Sequence, residues 1–387
     1  MGIKIGYFGD FYPKFKNALF TTGTVYLLGK HEDVDSVYLY ATKGCKIPNN
    51  FGDKVHLFQS WDESSAVSLV KTLLLMNSHK RNIDAFFFNL SLTSQSKKSY
   101  INALALLLPV LLSMINSKKI VVYLHDIVET QNLETLGYKQ SRLKIFIAKL
   151  LERLIASRVT MILPMEYQVS ALSNVRKKDL RQIFFPYAEA IWAFDLYPPV
   201  IELQESEKDQ PLRVLLWGSW GPKKDIIRVV KKLTELIKEG CNLRVMVVGN
   251  VNPHFTYYAE KISELMHEID NDKISFILDA PDEIAPNIFF NSDILILPYL
   301  GSVGISGVMN IGAYYGLKII SYSIPEMQDF SNMIKADTLF IPAGDLNELS
   351  IALCSDITID GRSQAHYYKR RVFAMEMIGK LIECLKT

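Results

Sequence analysis

The run Pro298-Tyr299-Leu300-Gly301-Ser302-Val303-Gly304-Ile305-Ser306-Gly307-Val308-Met309-Asn310 joins an apolar strand pattern, Asp293–Leu297, to a helical pattern over about 307–315. Bare backbone N–H groups at a helix start, together with the positive end of the helix dipole, hold an anion, most commonly a phosphate. Glycines at 301, 304 and 307 let a ligand approach the main chain closely. Gly304, Ser306, Gly307 and Val308 are therefore candidate phosphate contacts. A crossover turn in any α/β domain also uses glycine and serine, so the pattern alone leaves both uses open.

A second such run is Leu215-Leu216-Trp217-Gly218-Ser219-Trp220-Gly221-Pro222-Lys223-Lys224-Asp225. A strand pattern ends at about Trp217, and a glycine turn leads to a helix with two lysines expected in its first turn. Cations at a helix N-terminus oppose the dipole, and an anionic ligand would relieve the conflict. Gly218, Ser219 and Lys224 join the candidate list, although lysines in such a turn also point to water. Lys224 is favoured because the 301–307 loop is expected on the same face of the sheet.

Two further groups sit at strand ends. His125-Asp126 closes the pattern Lys119–Leu124, where a histidine serves as hydrogen-bond donor or proton carrier. A satisfied structural histidine explains it equally well. Gly9 and Asp10 open the loop Gly9-Asp10-Phe11-Tyr12-Pro13-Lys14-Phe15-Lys16, which could line an acceptor site or form an apolar cap. No Ser-His-Asp order, metal triad or Asp-x-Asp pair at a strand end is visible. No metal ion and no cofactor are expected.

These residues need parallel strands to position them. Strand patterns fall at 3–8, 36–41, 55–58, 84–88, 119–124, 159–163 and 182–185, with helical patterns near 63–76, 100–116 and 141–157. A second series has strands at 212–217, 243–248, 274–278, 293–297, 317–321 and 338–341, with helices near 225–239, 255–269, 283–290 and 307–315. Short apolar strands alternating with helices predict an α/β protein with two Rossmann-like doubly wound parallel sheets. The polar segment Pro198–Pro211 reads as a linker. The expected domains are 1–195, joined by a closing helix at 363–387, and 196–362. Ligands of open α/β sheets bind at the carboxyl ends of the strands, so two such domains would face a cleft.

Bulk properties fit this organisation. With 387 residues the chain is too long for one ordinary core. A net charge of +2 gives no case for nucleic acid, but residues 1–195 carry 24 basic and 16 acidic side chains. A basic half suits an anionic surface or substrate, or reflects only uneven solvation. Cysteines 45, 241, 354 and 384 form no CxxC pair, which fits a reducing compartment. Met1–Ile5 reads as a first strand and not as a signal peptide. The most apolar run, Ile101–Ile115, is interrupted by Pro109 and falls short of the roughly 20 residues of a spanning helix. The expected location is the cytoplasm, with peripheral contact at a cytoplasmic membrane face left open. The basic amphipathic stretch Lys144–Arg153 suits a membrane surface, though an ordinary core-facing helix is the leading expectation for it.

Taken together these motifs resemble the nucleotide-sugar glycosyltransferases of the GT-B fold, especially the large retaining family 4, over nearly the whole chain. Trp217-Gly218 through Lys224-Asp225 is similar to that family's Gly-Arg…Lys-Gly phosphate loop, with Lys224 at the lysine. Val247-Val248-Gly249 matches its strand ending in glycine. Asp293–Tyr299, the glycine loop and Gly316-Leu317-Lys318-Ile319-Ile320 match its donor-binding core. His125-Asp126 stands where the family often has a histidine near the transferred sugar. The family's two glutamates, aligned on Gly316, fall on Val303 and Ile311, and its loop arginine falls near Ser219. The sequence instead resembles a branch with a Ser-Gly-Val core, here Ser306-Gly307-Val308, and Glu326 is a candidate replacement for ribose or sugar contacts. The resemblance implies metal-independent transfer of a hexose from a uridine or guanosine diphosphate sugar to a glycan or lipid-linked acceptor. The alternatives it leaves are a non-catalytic nucleotide-sugar-binding protein, a sugar-nucleotide epimerase or a phosphorylase.

Overall fold

The computed structural model describes the chain apart from residues 1, 12–17, 92–97, 131–140, 173, 176, 201–209, 252–254, 256, 270, 302–304 and 356–363. The chain divides into two compact units. The first is Met1–Trp192 with Arg371–Thr387, and the second is Ala193–Arg370.

The first unit begins β1 (Ile3–Phe8), α1 (Ala18–Lys30), β2 (Val34–Thr42), β3 (Val55–Trp61), α2 (Ala66–Ser78), β4 (Ala85–Leu90) and α3 (Ser99–Ile115). It continues with β5 (Lys119–Leu124), α4 (Arg142–Arg158), β6 (Thr160–Leu163), α5 (Glu166–Ala171), β7 (Asp179–Gln182) and α6 (Ala188–Leu196), whose last residues belong to the second unit. Its seven-stranded sheet has the order β3-β2-β1-β4-β5-β6-β7, parallel at every pairing.

The second unit holds β8 (Leu212–Trp220), α7 (Ile226–Lys238), β9 (Leu243–Val251), α8 (Tyr257–Glu268), β10 (Ile274–Leu278), α9 (Ala285–Phe290) and β11 (Ile294–Leu297). After these come α10 (Gly307–Tyr314), β12 (Lys318–Tyr322), α11 (Pro325–Met333), β13 (Thr338–Ile341), α12 (Leu346–Cys354) and α13 (Gln364–Lys386). From Arg371 onward α13 belongs to the first unit. The six-stranded sheet has the order β10-β9-β8-β11-β12-β13, again all parallel.

Burial explains the apolar runs. β4 and β11 are buried along their whole length, as strands covered on both faces must be. α7 buries Ile226, Val229, Val230, Leu233, Leu236 and Ile237, a helical stripe. Each such side chain contributes about 1.5–3 kcal/mol. α3 runs through Pro109 without ending there, because the proline sits buried in a helix carrying Ala105, Leu106, Leu108 and Leu112 into the core. Its loss of one backbone bond is offset by that packing.

Three details differ from the sequence expectation. β7 lies at 179–182, and the apolar Ile183, Phe184 and Phe185 are buried just beyond it. The strand pattern had followed hydrophobicity, whereas the pairing with β6 uses Asp179, Leu180, Arg181 and Gln182. β8 continues past Trp217 to Trp220, paired residue by residue with β9. α4 is apolar on two sides: Leu151, Ile155 and Ala156 face the core, while Leu143, Phe146, Ile147 and Leu150 are exposed.

The inner side of α4 also carries Glu152, fully buried. Its Oε1 accepts the Val128 N–H at 2.6 Å, while Oε2 has no partner. Burial, with a smaller contribution from Asp126 and Glu129, pushes this carboxyl up to about 8. The folded chain therefore holds a proton that the unfolded chain releases at the ordinary glutamate value of 4.5. Stability from this group is complete below that value and is lost as pH rises toward 8. Glu152→Gln keeps the acceptor and removes the ionisation. The variant is expected to match wild type at pH 5 and exceed it at pH 9 by on the order of 1–3 kcal/mol in urea unfolding. Parallel pH profiles for the two proteins would contradict the assignment.

Candidate functional site

In each sheet the strand order turns outward from one point: between β1 and β4 in the first unit, and between β8 and β11 in the second. At such a switch point the loops leaving the two strands diverge and open a crevice at the carboxyl ends. The residues singled out in the sequence lie beside these points.

In the second unit β8 ends at Trp220, and the turn Gly221–Lys224 leads to Asp225, the N-cap of α7. The lysines thus precede the helix and do not occupy its first turn. The expected clash with the dipole is absent, because Asp225 stands there instead. Tyr322 donates its hydroxyl to Asp225 Oδ2 at 3.0 Å, and Arg228 lies 3.1 Å from the same oxygen. The turn is laced to the loop after β11. Asp225 N–H donates to the Pro298 carbonyl at 2.8 Å, and Leu300 N–H donates to the Lys223 carbonyl at 2.8 Å. Lys224 also forms an antiparallel bridge with Tyr299.

This lacing sets the Lys224 ammonium over the Tyr299 ring, 4.6 Å from its centroid, and 5.5 Å from that of Trp220. No carboxylate among the described residues pairs with it. It lies so close to Gly218 that a Cβ there would stand 2.5 Å from Nζ. Gly218 has φ +150 and faces Gly249, φ +148, in the β8–β9 register. A side chain on Gly249 would overlap the Gly218 carbonyl oxygen. Two facing glycines thus keep this strand end bare for the lysine. Beside it, Lys223 is half-buried, and desolvation pulls its ammonium down to about 8.

The loop after β11 reaches α10 at Ser306, a buried N-cap whose hydroxyl accepts the Met309 N–H at 3.2 Å. Gly307 is exposed and Val308 half-buried at the first turn. Ser302, Val303 and Gly304 lie outside the described residues, as do Tyr12 to Lys16 and most of the expected linker. Ser219 is half-buried in β8, opposite Asn250. Glu326 opens α11 directly after β12, the strand beside β11, and has no hydrogen-bond or ion-pair partner among the described residues.

In the first unit Gly9 and Asp10 follow β1. Asp10 is buried with Oδ1 unpartnered, and desolvation, reinforced by Glu63, pushes its carboxyl up to about 7. His125 follows β5, its N–H donating to the Leu90 carbonyl at 3.2 Å. Asn89 donates its amide to Thr21 Oγ1 at 2.7 Å, which leaves Asn89 Oδ1 to accept from His125 Nε2 at 2.8 Å. This pattern assigns the proton to Nε2 and leaves Nδ1 as an acceptor. The rings of Phe20 and Tyr123 stand edge-on at 4.6 and 5.0 Å. Burial pulls the imidazole down to about 4, so it is neutral at physiological pH.

Sequence reasoning named Lys224 and His125 but missed what holds them. Tyr299 and Trp220 were given no role. Asn89 was a legible signal: it is the one polar residue in Ala85-Phe86-Phe87-Phe88-Asn89-Leu90. Among the described residues no group of three or more His, Cys, Asp or Glu side chains could hold a metal ion. No helix among them is long and apolar enough to cross a membrane.

The sequence matches no protein-family model and no curated protein. Solved structures match closely in fold. Anabaena Alr3699/HepE in complex with UDP-glucose superposes with a TM-score of 0.66 at 12% identity, covering 99% of this chain and 100% of that one. Sucrose-phosphate synthase from Thermosynechococcus elongatus gives 0.58 at 13% identity, covering 99% and 96%. A Listeria monocytogenes protein assigned as a UDP-N-acetylglucosamine 2-epimerase gives 0.59 at 12%, covering 99% and 96%. The chain has the two-domain α/β architecture of the GT-B fold.

Two measurements probe these groups. Lys224→Ala is expected to weaken nucleoside-diphosphate affinity roughly ten- to a hundredfold, the worth of one charge-assisted hydrogen bond. Calorimetric titration of a variant with unchanged melting temperature would read it, and unchanged affinity would remove Lys224 from the site. For His125, an NMR titration of the imidazole should find its midpoint near 4. Since unfolding restores the ordinary value of 6.5, this group costs stability as pH falls between those values. A midpoint near 6.5 would mean the ring is solvated.

Proposed function

We propose that this chain is a glycosyltransferase that moves a hexose from a nucleoside-diphosphate sugar to a glycan or lipid-linked acceptor, with retention at the anomeric carbon. The observation that carries this reading is the Lys224 ammonium, paired with no carboxylate among the described residues and resting on aromatic rings, at the β8–β11 switch point whose β11 loop leads on to α10. A diphosphate supplies the anion that such a place lacks. As the sugar–oxygen bond breaks, negative charge grows on the leaving diphosphate. Fixed positive charge and backbone N–H groups stabilise that growth without rearranging.

Lys224, Gly218, Ser219 and the Ser306–Val308 turn are the proposed donor contacts, with Glu326 a candidate for ribose or sugar. His125 is the proposed catalytic residue. With Nε2–H held by Asn89, its neutral ring offers Nδ1 as an acceptor to a sugar hydroxyl, and it belongs to the unit that does not carry the proposed diphosphate contacts. Its removal is therefore expected to lower kcat while leaving nucleotide affinity in place. Gly9 and Asp10 are proposed for the acceptor side.

The fold match to a protein assigned as a UDP-N-acetylglucosamine 2-epimerase favours one second reading, epimerisation of the nucleotide sugar. One experiment separates the readings. Purified chain is screened by thermal shift against UDP, GDP and their sugars, and the stabilising sugar nucleotide is then incubated with and without glycan and lipid-linked acceptors. Acceptor-dependent release of nucleoside diphosphate, undiminished by EDTA, is the expected result. An epimeric sugar nucleotide formed without acceptor would establish the second reading. Loss of turnover on chelation, restored by magnesium, would overturn the metal-independent assignment.

A further inference from the structure

α7 and α12 pack side by side in the second unit, and each leaves the carboxyl end of a parallel strand, β8 and β13. They therefore run in the same direction and both end at the amino edge of the sheet. At their starts, Arg228 of α7 donates to the Gly344 carbonyl at 2.9 Å, just ahead of α12. At their ends each carries a cysteine: Cys241 after α7, and Cys354 as the last residue of α12.

The backbone fixes both thiols. α7 stops in a Schellman turn. Gly240 takes φ +100, its N–H donates to the Ile237 carbonyl at 3.2 Å, and the Cys241 N–H donates to the Leu236 carbonyl at 2.9 Å. That turn folds Cys241 back against the cluster that holds Leu236, Leu349, Ala352 and Leu353. α12 closes on Ser355, whose N–H donates to the Ile351 carbonyl at 3.1 Å and whose hydroxyl donates to the Ala352 carbonyl at 3.1 Å. The Cys354 S–H donates to the Cys241 sulfur. Cys354 is exposed and Cys241 half-buried, so the pair is within reach of solvent, whereas Cys45 and Cys384 are buried in the first unit.

From this geometry we propose that Cys241 and Cys354 form a redox pair, which a small-molecule disulfide such as oxidised glutathione converts to a disulfide stapling the ends of α7 and α12. Desolvation, the contact with Cys241 and the charge of Glu239 push the Cys354 thiol up to about 11. Cys354 therefore keeps its proton at neutral pH, and Cys241 is the sulfur that attacks first. Its thiolate attacks one sulfur of the glutathione disulfide and expels a glutathione thiolate, leaving a mixed disulfide on Cys241. Cys354 then yields its proton to solvent and attacks the Cys241 sulfur, expelling the second glutathione. Both protein thiols are oxidised, and the glutathione disulfide is reduced to its two thiols. The ring so closed runs over more than a hundred residues, from β9 to α12, and restricts the unfolded chain strongly.

The test takes the full chain, first fully reduced, through glutathione buffers from reducing to oxidising, followed by alkylation, intact mass and peptide mapping. Oxidising buffer should remove both accessible thiols from alkylation and join the peptides that carry Cys241 and Cys354. The melting temperature should rise by roughly 5 °C or more and fall back on adding dithiothreitol. Cys354→Ser should lose the rise and hold a single glutathione on Cys241; its side chain is exposed, so this variant reports even if Cys241→Ser fails to fold. Both thiols still open to alkylation in excess oxidised glutathione would overturn the inference. So would a disulfide to Cys45, Cys384 or a second chain, or a Cys241–Cys354 bond that leaves the melting temperature unmoved.

Discussion

An ammonium half-removed from water, with no carboxylate beside it among the described residues, is the constraint around which the loops of the second unit are arranged. Lys224 is held there by backbone bonds that its own charge does not make: Asp225 N–H to Pro298 and Leu300 N–H to Lys223. Those bonds join the turn after β8 to the loop after β11, and adjacency of these two strands is what makes the bonds reachable. The facing pair Gly218 and Gly249 is required for the same reason, since a Cβ at either meets the lysine or the opposing carbonyl. The aromatic rings lend the cation a partial counter-charge through their faces. That contact is weaker than an ion pair, and it leaves the ammonium able to bind an anion.

Much of the fold was legible because parallel sheets covered on both faces write themselves as short apolar runs. Runs such as Ala85–Leu90 and Ile294–Leu297 can be little else. The helices that went unread explain themselves physically. α1 contains Thr21, Thr22 and Thr24, all buried, so its inward face looks polar in sequence. Thr24 satisfies its hydroxyl on the Phe20 carbonyl. α5 and α6 are short, and α11 is mostly polar on its exposed side. The end of β8 was misjudged because glycine was taken as a stop, whereas Gly218 continues the ladder at a φ only glycine adopts easily.

The site was legible by type and less so by environment. A lysine after a glycine-rich strand end is a local signal. Its ring partner Tyr299 comes from a loop some seventy-five positions further on in the sequence, and no local pattern links the two. The dipole argument for Lys224 pointed to an anion through the wrong cause: the N-cap belongs to Asp225, and the call for an anion comes from the missing carboxylate. His125 was open to use as a hydrogen-bond donor, a proton carrier or a satisfied structural residue, and the burial that holds it neutral was not visible in the sequence. What sequence could not supply is desolvation, which depends on neighbours brought in by topology.

The two units differ in the chemistry of their switch points. The second presents fixed positive charge. The first presents uncharged or charge-suppressed groups: a neutral imidazole locked by Asn89, and an Asp10 carboxyl whose burial opposes ionisation. A nucleoside-diphosphate sugar has the same division, with a dianionic diphosphate joined to a neutral, hydroxyl-rich hexose. Charge serves the first part, and neutral donors and acceptors serve the second, where a full charge would remain poorly paired and costly to desolvate. On the proposed reading, the low imidazole value of His125 is therefore an asset. A ring that stays neutral keeps Nδ1 able to accept from a sugar hydroxyl across the physiological range, while Nε2–H stays on Asn89.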